Sequence, residues 1–174
     1  MFMHQTHQIL TQCSNHRTLK FTVILRFTKC QTASNTCKMK NESLYNYVLR
    51  LGDDSLILGQ RLGEWCGHGP ILEEDIAMTN ISLDLVGQAT SLLGYAGELE
   101  GKGRDADALA FLRFDRDYKN VLLVEQPNGD FGMTMLRQFF FDAYRKPLFE
   151  KLQHSTDQHL AAIAEKSLKE TKYH

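Results

Sequence analysis

Nowhere does the chain hold a run of about 18 uncharged apolar residues, so a membrane-spanning helix is excluded. It has no Gly-x-Ser-x-Gly elbow, no glycine-rich phosphate loop and no dinucleotide fingerprint. Nucleophilic hydrolysis and nucleotide chemistry are therefore without support. Its net charge is only −1, which leaves the whole chain without the electrostatic footprint of a nucleic-acid binder. The four cysteines build no disulfide framework, and a reducing, cytoplasmic setting is expected. Cys66 lies beside Trp65 near a helix end, with nothing adjacent to activate a thiolate. Three prolines and twelve glycines in 174 residues leave room for long uninterrupted helices.

The near-neutral total hides an asymmetry. Residues 1–40 carry six Lys or Arg and no acid, whereas residues 41–174 carry the other 14 bases and all 21 acids, a net of −7. Cys13, Cys30, Cys37, His4, His7 and His16 share the first segment, but at spacings that fit no zinc finger. Its longest apolar stretch, Phe21 to Phe27, is interrupted by Arg26 and too short for a signal-peptide core. No helical or strand period is sustained there. The expectation for residues 1–40 is a disordered or weakly structured extension. Met39 stands at the change of composition, where the functional chain is expected to begin after an over-long start assignment.

Residues 41–174 are expected to form one helical domain. Leu44, Tyr47, Val48 and Leu51 recur at helical spacing, and Leu56, Ile57, Leu62 and Trp65 follow. Gly52 with Asp53 and Asp54 reads as a break or a cap between them. After Gly67-His-Gly-Pro70 a helix is predicted from Ile71 to Glu100, with Glu73, Glu74 and Asp75 in its first turn. It bears two apolar stripes: Leu72, Ile76, Leu83, Val86, Leu93, and Ala77, Ile81, Leu85, Ala89, Leu92, Ala96, Leu99. A monomeric bundle uses one wide stripe, so the surplus predicts a partner surface. A polar loop over 101–107 precedes a shorter helix expected over 109–120, and Val121 to Val124 extends it or connects onward. Turn chemistry at Gln126 to Asp130 leads into a helix from Phe131 to about Gln153, with a kink expected at Pro147. A last helix carries Leu160, Ile163, Ala164 and Leu168, and reaches His174 without a cap, as a chain cut in mid-helix would. Long helices joined by short turns make an all-α antiparallel four-helix bundle, incomplete at its C-terminus.

The chemistry most associated with such bundles is a carboxylate-bridged di-iron centre, which takes a Glu from each of two helices and Glu-x-x-His from the other two. No Glu in this chain has a His three residues on. Three pairs stand four apart instead: Glu64/His68, Glu150/His154 and Glu170/His174. His68 and His154 fall at helix ends and His174 is the last residue, so surface or capping roles are expected. Asn80, Asp84 and Gln88 in the second helix, and Asp142 in the aromatic run of the third long helix, sit among apolar neighbours. Buried, they need partners. Glu64, Asn80, Asp84, Asp142 and Glu170 are the candidates for a vestigial or structural polar core. That network is expected to hold no metal, and no catalytic or cofactor-binding residue is assigned.

Three strings carry a resemblance: Leu51-Gly-Asp-Asp-Ser-Leu-Ile-Leu-Gly-Gln-Arg-Leu-Gly-Glu-Trp-Cys-Gly-His68, Leu83-Asp-Leu-Val-Gly-Gln-Ala89 and Leu122-Leu-Val-Glu-Gln-Pro-Asn-Gly-Asp-Phe131. With Lys169-Glu-Thr-Lys-Tyr-His174, they resemble the C subunits of bacterial ring-1,2-phenylacetyl-CoA epoxidases, over about residues 42–174. The resemblance implies a ferritin-like fold and a structural, non-catalytic subunit of a multicomponent oxygenase of aerobic phenylacetate breakdown. It implies as partner a catalytic A subunit, which holds the di-iron site and the CoA thioester, and a reductase subunit supplying electrons from NADPH through FAD and an iron–sulfur cluster. No cofactor, nucleic acid, membrane or small-molecule substrate is expected for this chain itself. Residues 1–40 match nothing in that resemblance, and its members continue beyond the position of His174. Two other readings stay open at this point. One is a catalytic di-iron oxygenase using the four-step Glu/His pairs with Asp84 and Asp142; the other is a stand-alone helical interaction protein.

Overall fold

A computed structural model describes residues 41–174; the expectations for residues 1–40 lie outside the described residues. Among the described residues there are four long helices: α1 (Glu42–Gly63), α2 (Leu72–Glu100), α5 (Phe131–Leu152) and α6 (Gln158–Tyr173). Between α2 and α5 run two short helices, α3 (Ala106–Phe111) and α4 (Leu122–Glu125), with a 3-10 turn at Asp115–Asp117. Local chemistry fixes most of the starts. The side chains of Asn41, Asp105, Asp130 and Asp157 accept the N–H of Leu44, Ala108, Met133 and Leu160, so α1, α3, α5 and α6 each open on a capped turn. α2 lacks such a cap and carries three acids in its first turn, where the helix dipole favours them. One of those acids, Asp75, also accepts the N–H of Gly67 and Gly69, which closes the turn leading in from α1.

Paired positions give the helix directions. Along α1 and α2, Tyr45 meets Glu100, Gly52 meets Leu93 and Gly59 meets Leu85, so the two run antiparallel. Ser55 meets Arg145 and Trp65 meets Thr134, which sets α5 antiparallel to α1. Gln88 meets Glu170 and Tyr95 meets Asp157, which sets α6 antiparallel to α2. α1 and α6 thus point one way, α2 and α5 the other. Because α2 and α5 are parallel, the chain must travel back along the bundle between them, and residues 101–130 do so. Two hairpins joined by one long crossover make a ferritin-like four-helix bundle.

α1 is the central element. Every residue from Leu51 to Leu56 is buried, as expected for a helix covered by α2, by α5 and by the crossover. Gly52 permits the close approach to α2: a Cβ there would stand 2.8 Å from Leu93 Cδ2. The core lies in three clusters, the smallest of which joins Phe149 of α5 to Ala164 and Leu168 of α6. Val48, Leu49, Leu92, Ala96, Leu109 and Leu160 fill one end, and Leu58, Leu62, Met78, Leu85, Val124 and Phe141 the other. Each fully buried leucine contributes about 1.5–3 kcal/mol of transfer free energy.

Several expectations are corrected. Asp53 and Asp54 neither break nor cap α1; they are buried in its interior, because partners more than sixty residues away satisfy them. The helix expected over 109–120 is instead α3, which starts at Ala106, followed by a bend at Leu112 and Arg113 and then the 3-10 turn.

Candidate functional site: a polar interior between four helices

Midway along the bundle the apolar core gives way to charge. Arg145 of α5 is buried. Its Nη2 donates to Ser55 Oγ of α1 at 2.5 Å and to Gln88 Oε1 of α2 at 3.5 Å, and its Nη1 donates to the Leu51 carbonyl at 3.4 Å. The guanidinium lies 4.6 Å from the centroid of the Phe149 ring and 5.1 Å from that of Phe141, so cation–π attraction offsets part of its desolvation. Burial brings its pKa down to about 10, and the nearby Asp54, Tyr144 and Asp142 oppose that fall. It is still a cation at neutral pH.

From Gln88 the network passes to α6, where Gln88 Nε2 donates to Glu170 Oε2 at 3.0 Å. One turn further along, His174 stands between two helices. Its Nε2 is 3.3 Å from Asp84 Oδ2 on α2 and its Nδ1 is 3.5 Å from Asp142 Oδ1 on α5. Asp142 also accepts a 2.8 Å bond from Gln138 Nε2. A neutral imidazole has only one N–H to donate, so both carboxylates are served only by the imidazolium. Burial would pull the His174 pKa down; bonding to Asp142 and Asp84 and their charge outweigh it and hold the pKa above its ordinary value.

The buried acids of α1, Asp53 and Asp54, bond the crossover. Asp53 forms a buried bidentate ion pair with Arg113 and accepts the Lys119 N–H, while Asp54 accepts the Val121 N–H. Tyr118 lies over the Arg113 guanidinium at 4.3 Å. These contacts fasten the crossover along α1. Burial pushes the Asp54 pKa up, while the Val121 N–H and Arg145 hold it down in part.

Of the five expected core residues, the structure brings together Asp84, Asp142 and Glu170. Glu64 is instead exposed at the end of α1, bonded to Arg61 and Asn128, and Asn80 is exposed on α2. His174 corrects a further expectation: its side chain is fully buried rather than at the surface. The sequence reading missed Arg145, Gln138 and Ser55. Arg145 lies within the same aromatic run that singled out Asp142, so a cation flanked by Phe141 and Phe149 was the available signal.

Outside the interior, the first of the two stripes on α2 leaves Leu72, Ile76 and Leu83 exposed, and α5 leaves Leu136, Phe139 and Phe140 exposed. Among the described residues no helix is long and apolar enough to cross a membrane, and no group of three or more His, Cys, Asp or Glu is placed to hold a metal ion.

Comparison with known proteins follows this geometry. The family described as phenylacetic acid catabolic protein matches residues 19–174, a match that takes in part of the segment expected to have no counterpart. The chain is also 58% identical over 128 residues to the C subunit of the 1,2-phenylacetyl-CoA epoxidase of Escherichia coli (strain K12). That alignment covers 74% of this chain and 51% of the relative, so the chain spans about half the length of the curated protein it matches.

Proposed function

The chain belongs to the phenylacetic acid catabolic protein family, and from that premise we propose that it is a structural subunit of a phenylacetyl-CoA 1,2-epoxidase acting in aerobic phenylacetate catabolism. In this reading it performs no chemistry. It supports a catalytic sister subunit that carries the di-iron site and binds the CoA thioester, and a reductase subunit delivers electrons from NADPH through FAD and an iron–sulfur cluster. The complex works in the cytoplasm.

One observation carries the reading: the place where four helices converge is organised around Arg145 and not around inward-facing acids from every helix. α1, which would owe a glutamate to a metal pair, bonds Arg145 only through Ser55 and the Leu51 carbonyl. Its two buried acids, Asp53 and Asp54, bond the crossover. The exposed apolar residues of α2 and α5 supply a surface for the sister subunit.

Co-expression with the catalytic subunit tests the proposal. The two chains are expected to co-purify, and the reconstituted complex to lose epoxidase activity when this chain is left out. Iron analysis of the isolated chain is expected to find no stoichiometric metal. About two irons per chain, the loading of a two-metal bundle, would overturn the reading in favour of a catalytic role.

A further inference from the structure

α5 is built with its polarity reversed. Its inward side carries Thr134, Arg137, Gln138 and Arg145, all buried, and Asp142, which reaches the His174 ring. Its outward side carries Met133, Met135, Leu136, Phe139, Phe140 and Tyr144, each between 36% and 65% exposed. From Phe131 to Arg145 no exposed residue of the helix is charged. Its hairpin partner α6 shows the ordinary order, with Leu160, Ile163 and Leu168 inside and Glu165, Lys166 and Lys169 outside. A helix that turns apolar residues outward and polar ones inward has its outer face covered in its working state.

We propose that the free chain pairs with a second copy of itself through this face, α5 lying antiparallel on α5 about a two-fold axis. Area and charge both point to that occupant. The six side chains leave roughly 600 Å² per chain in water, taking about 200 Å² for each large side chain. That is the top of the range that monomers leave uncovered in one patch. Two copies face to face remove about 1,200 Å², which reaches the lower bound of specific protein interfaces. In a two-fold contact the same patch must complement itself, and an uncharged face meets its own copy without like-charge repulsion. With Leu136 of one copy over Tyr144 of the other, the axis falls at Phe140. Phe139 and Phe140, whose rings lie 5.8 Å apart within one chain, then gather at the centre, where aromatic anchors contribute most. The pair takes up part of the surface offered above to the catalytic sister, so the two associations exclude one another and self-pairing covers the face until the sister takes it.

One set of measurements separates this pairing from the docking role proposed above. The 174-residue chain is sedimented at roughly 1–100 μM, where interfaces at the weak end of this size class come apart, alone and with the catalytic subunit. Wild type alone is expected to double its mass across that range. Phe139→Glu and, separately, Tyr144→Lys are expected to weaken pairing roughly tenfold or more with thermal melts unchanged. Lys169→Glu, on the charged face of α6, is expected to pair like wild type. Added catalytic subunit is expected to convert the pair into a one-to-one complex. Wild type that stays monomeric at the top of that range overturns the inference. So does a dimer that neither α5 variant weakens, or one that keeps both copies when the sister binds. A wild-type dimer that ignores the sister supports the self-pairing and overturns the docking role instead.

Discussion

Asp53 and Arg113, sixty residues apart in sequence, form a bidentate ion pair with both side chains almost fully buried. The pair joins the middle of α1 to the crossover, and so fixes the long connection that a ferritin-like topology requires. Removing one partner strands the other in a low-dielectric interior, a loss of about 3–5 kcal/mol. Asp53→Ala is therefore expected to lose about that much unfolding free energy by urea titration. The double variant with Arg113→Met is expected to recover part of it, since replacing both charges leaves neither uncompensated. A single variant within about 0.5 kcal/mol of wild type, the range of ordinary surface changes, would show that the crossover is held by something else.

Gly97 lies near the end of α2, where the carbonyl oxygen of Arg104 occupies the position a Cβ would take. That oxygen belongs to backbone, which cannot rotate away as a flexible side chain can. Gly97→Ala is expected to destabilise the chain by about 1–3 kcal/mol despite the better helix propensity of alanine. Gly87→Ala is the control: it faces open space in the same helix, so propensity alone acts and the expected change is a gain of about 0.5–1 kcal/mol. Melting temperatures moving in opposite directions would confirm the close approach.

The long helices were legible because apolar residues recur at their period. Asp84 and Asp142 stood out as acids among apolar neighbours, and both reach the buried His174 ring. What the sequence concealed depends on partners remote along the chain. Asp53 and Asp54 look like a helix break until Arg113, Lys119 and Val121 come round to satisfy them. His174 looks exposed because it ends the chain, yet α2 and α5 close over it from either side. Glu64 and Asn80 fit the polar pattern equally well but lie on outer faces, since periodicity reveals a stripe without saying which stripe is covered.

His174 supplies a pH dependence whose sign follows from its raised pKa. The imidazolium is favoured in the folded state by Asp142 and Asp84, so its contribution is fully present below the unfolded value of about 6.5. It declines as pH rises through the folded value, because the neutral ring can serve only one of the two carboxylates. Wild type is expected to lose stability over that interval, and His174→Gln, which cannot charge, to show a flatter profile there. Stability that rises with pH through the same interval in wild type would contradict the imidazolium bridge.

The exposed stripes on α2 and α5 test the docking role apart from the fold. Leu83 and Phe139 are half or more exposed, so neither contributes much to the core of this chain. If the catalytic sister packs over them, a charge placed there is buried unpaired on association, and interface residues of this kind cost about 2 kcal/mol or more when disrupted. Leu83→Lys and Phe139→Glu are each expected to weaken association roughly tenfold or more, the equilibrium equivalent of 1.4 kcal/mol, by sedimentation or interferometry. Thermal unfolding of the free chain is expected to change little, since surface substitutions away from buried contacts usually stay within about 0.5 kcal/mol. Undiminished binding by both variants would place the partner on another face of the bundle.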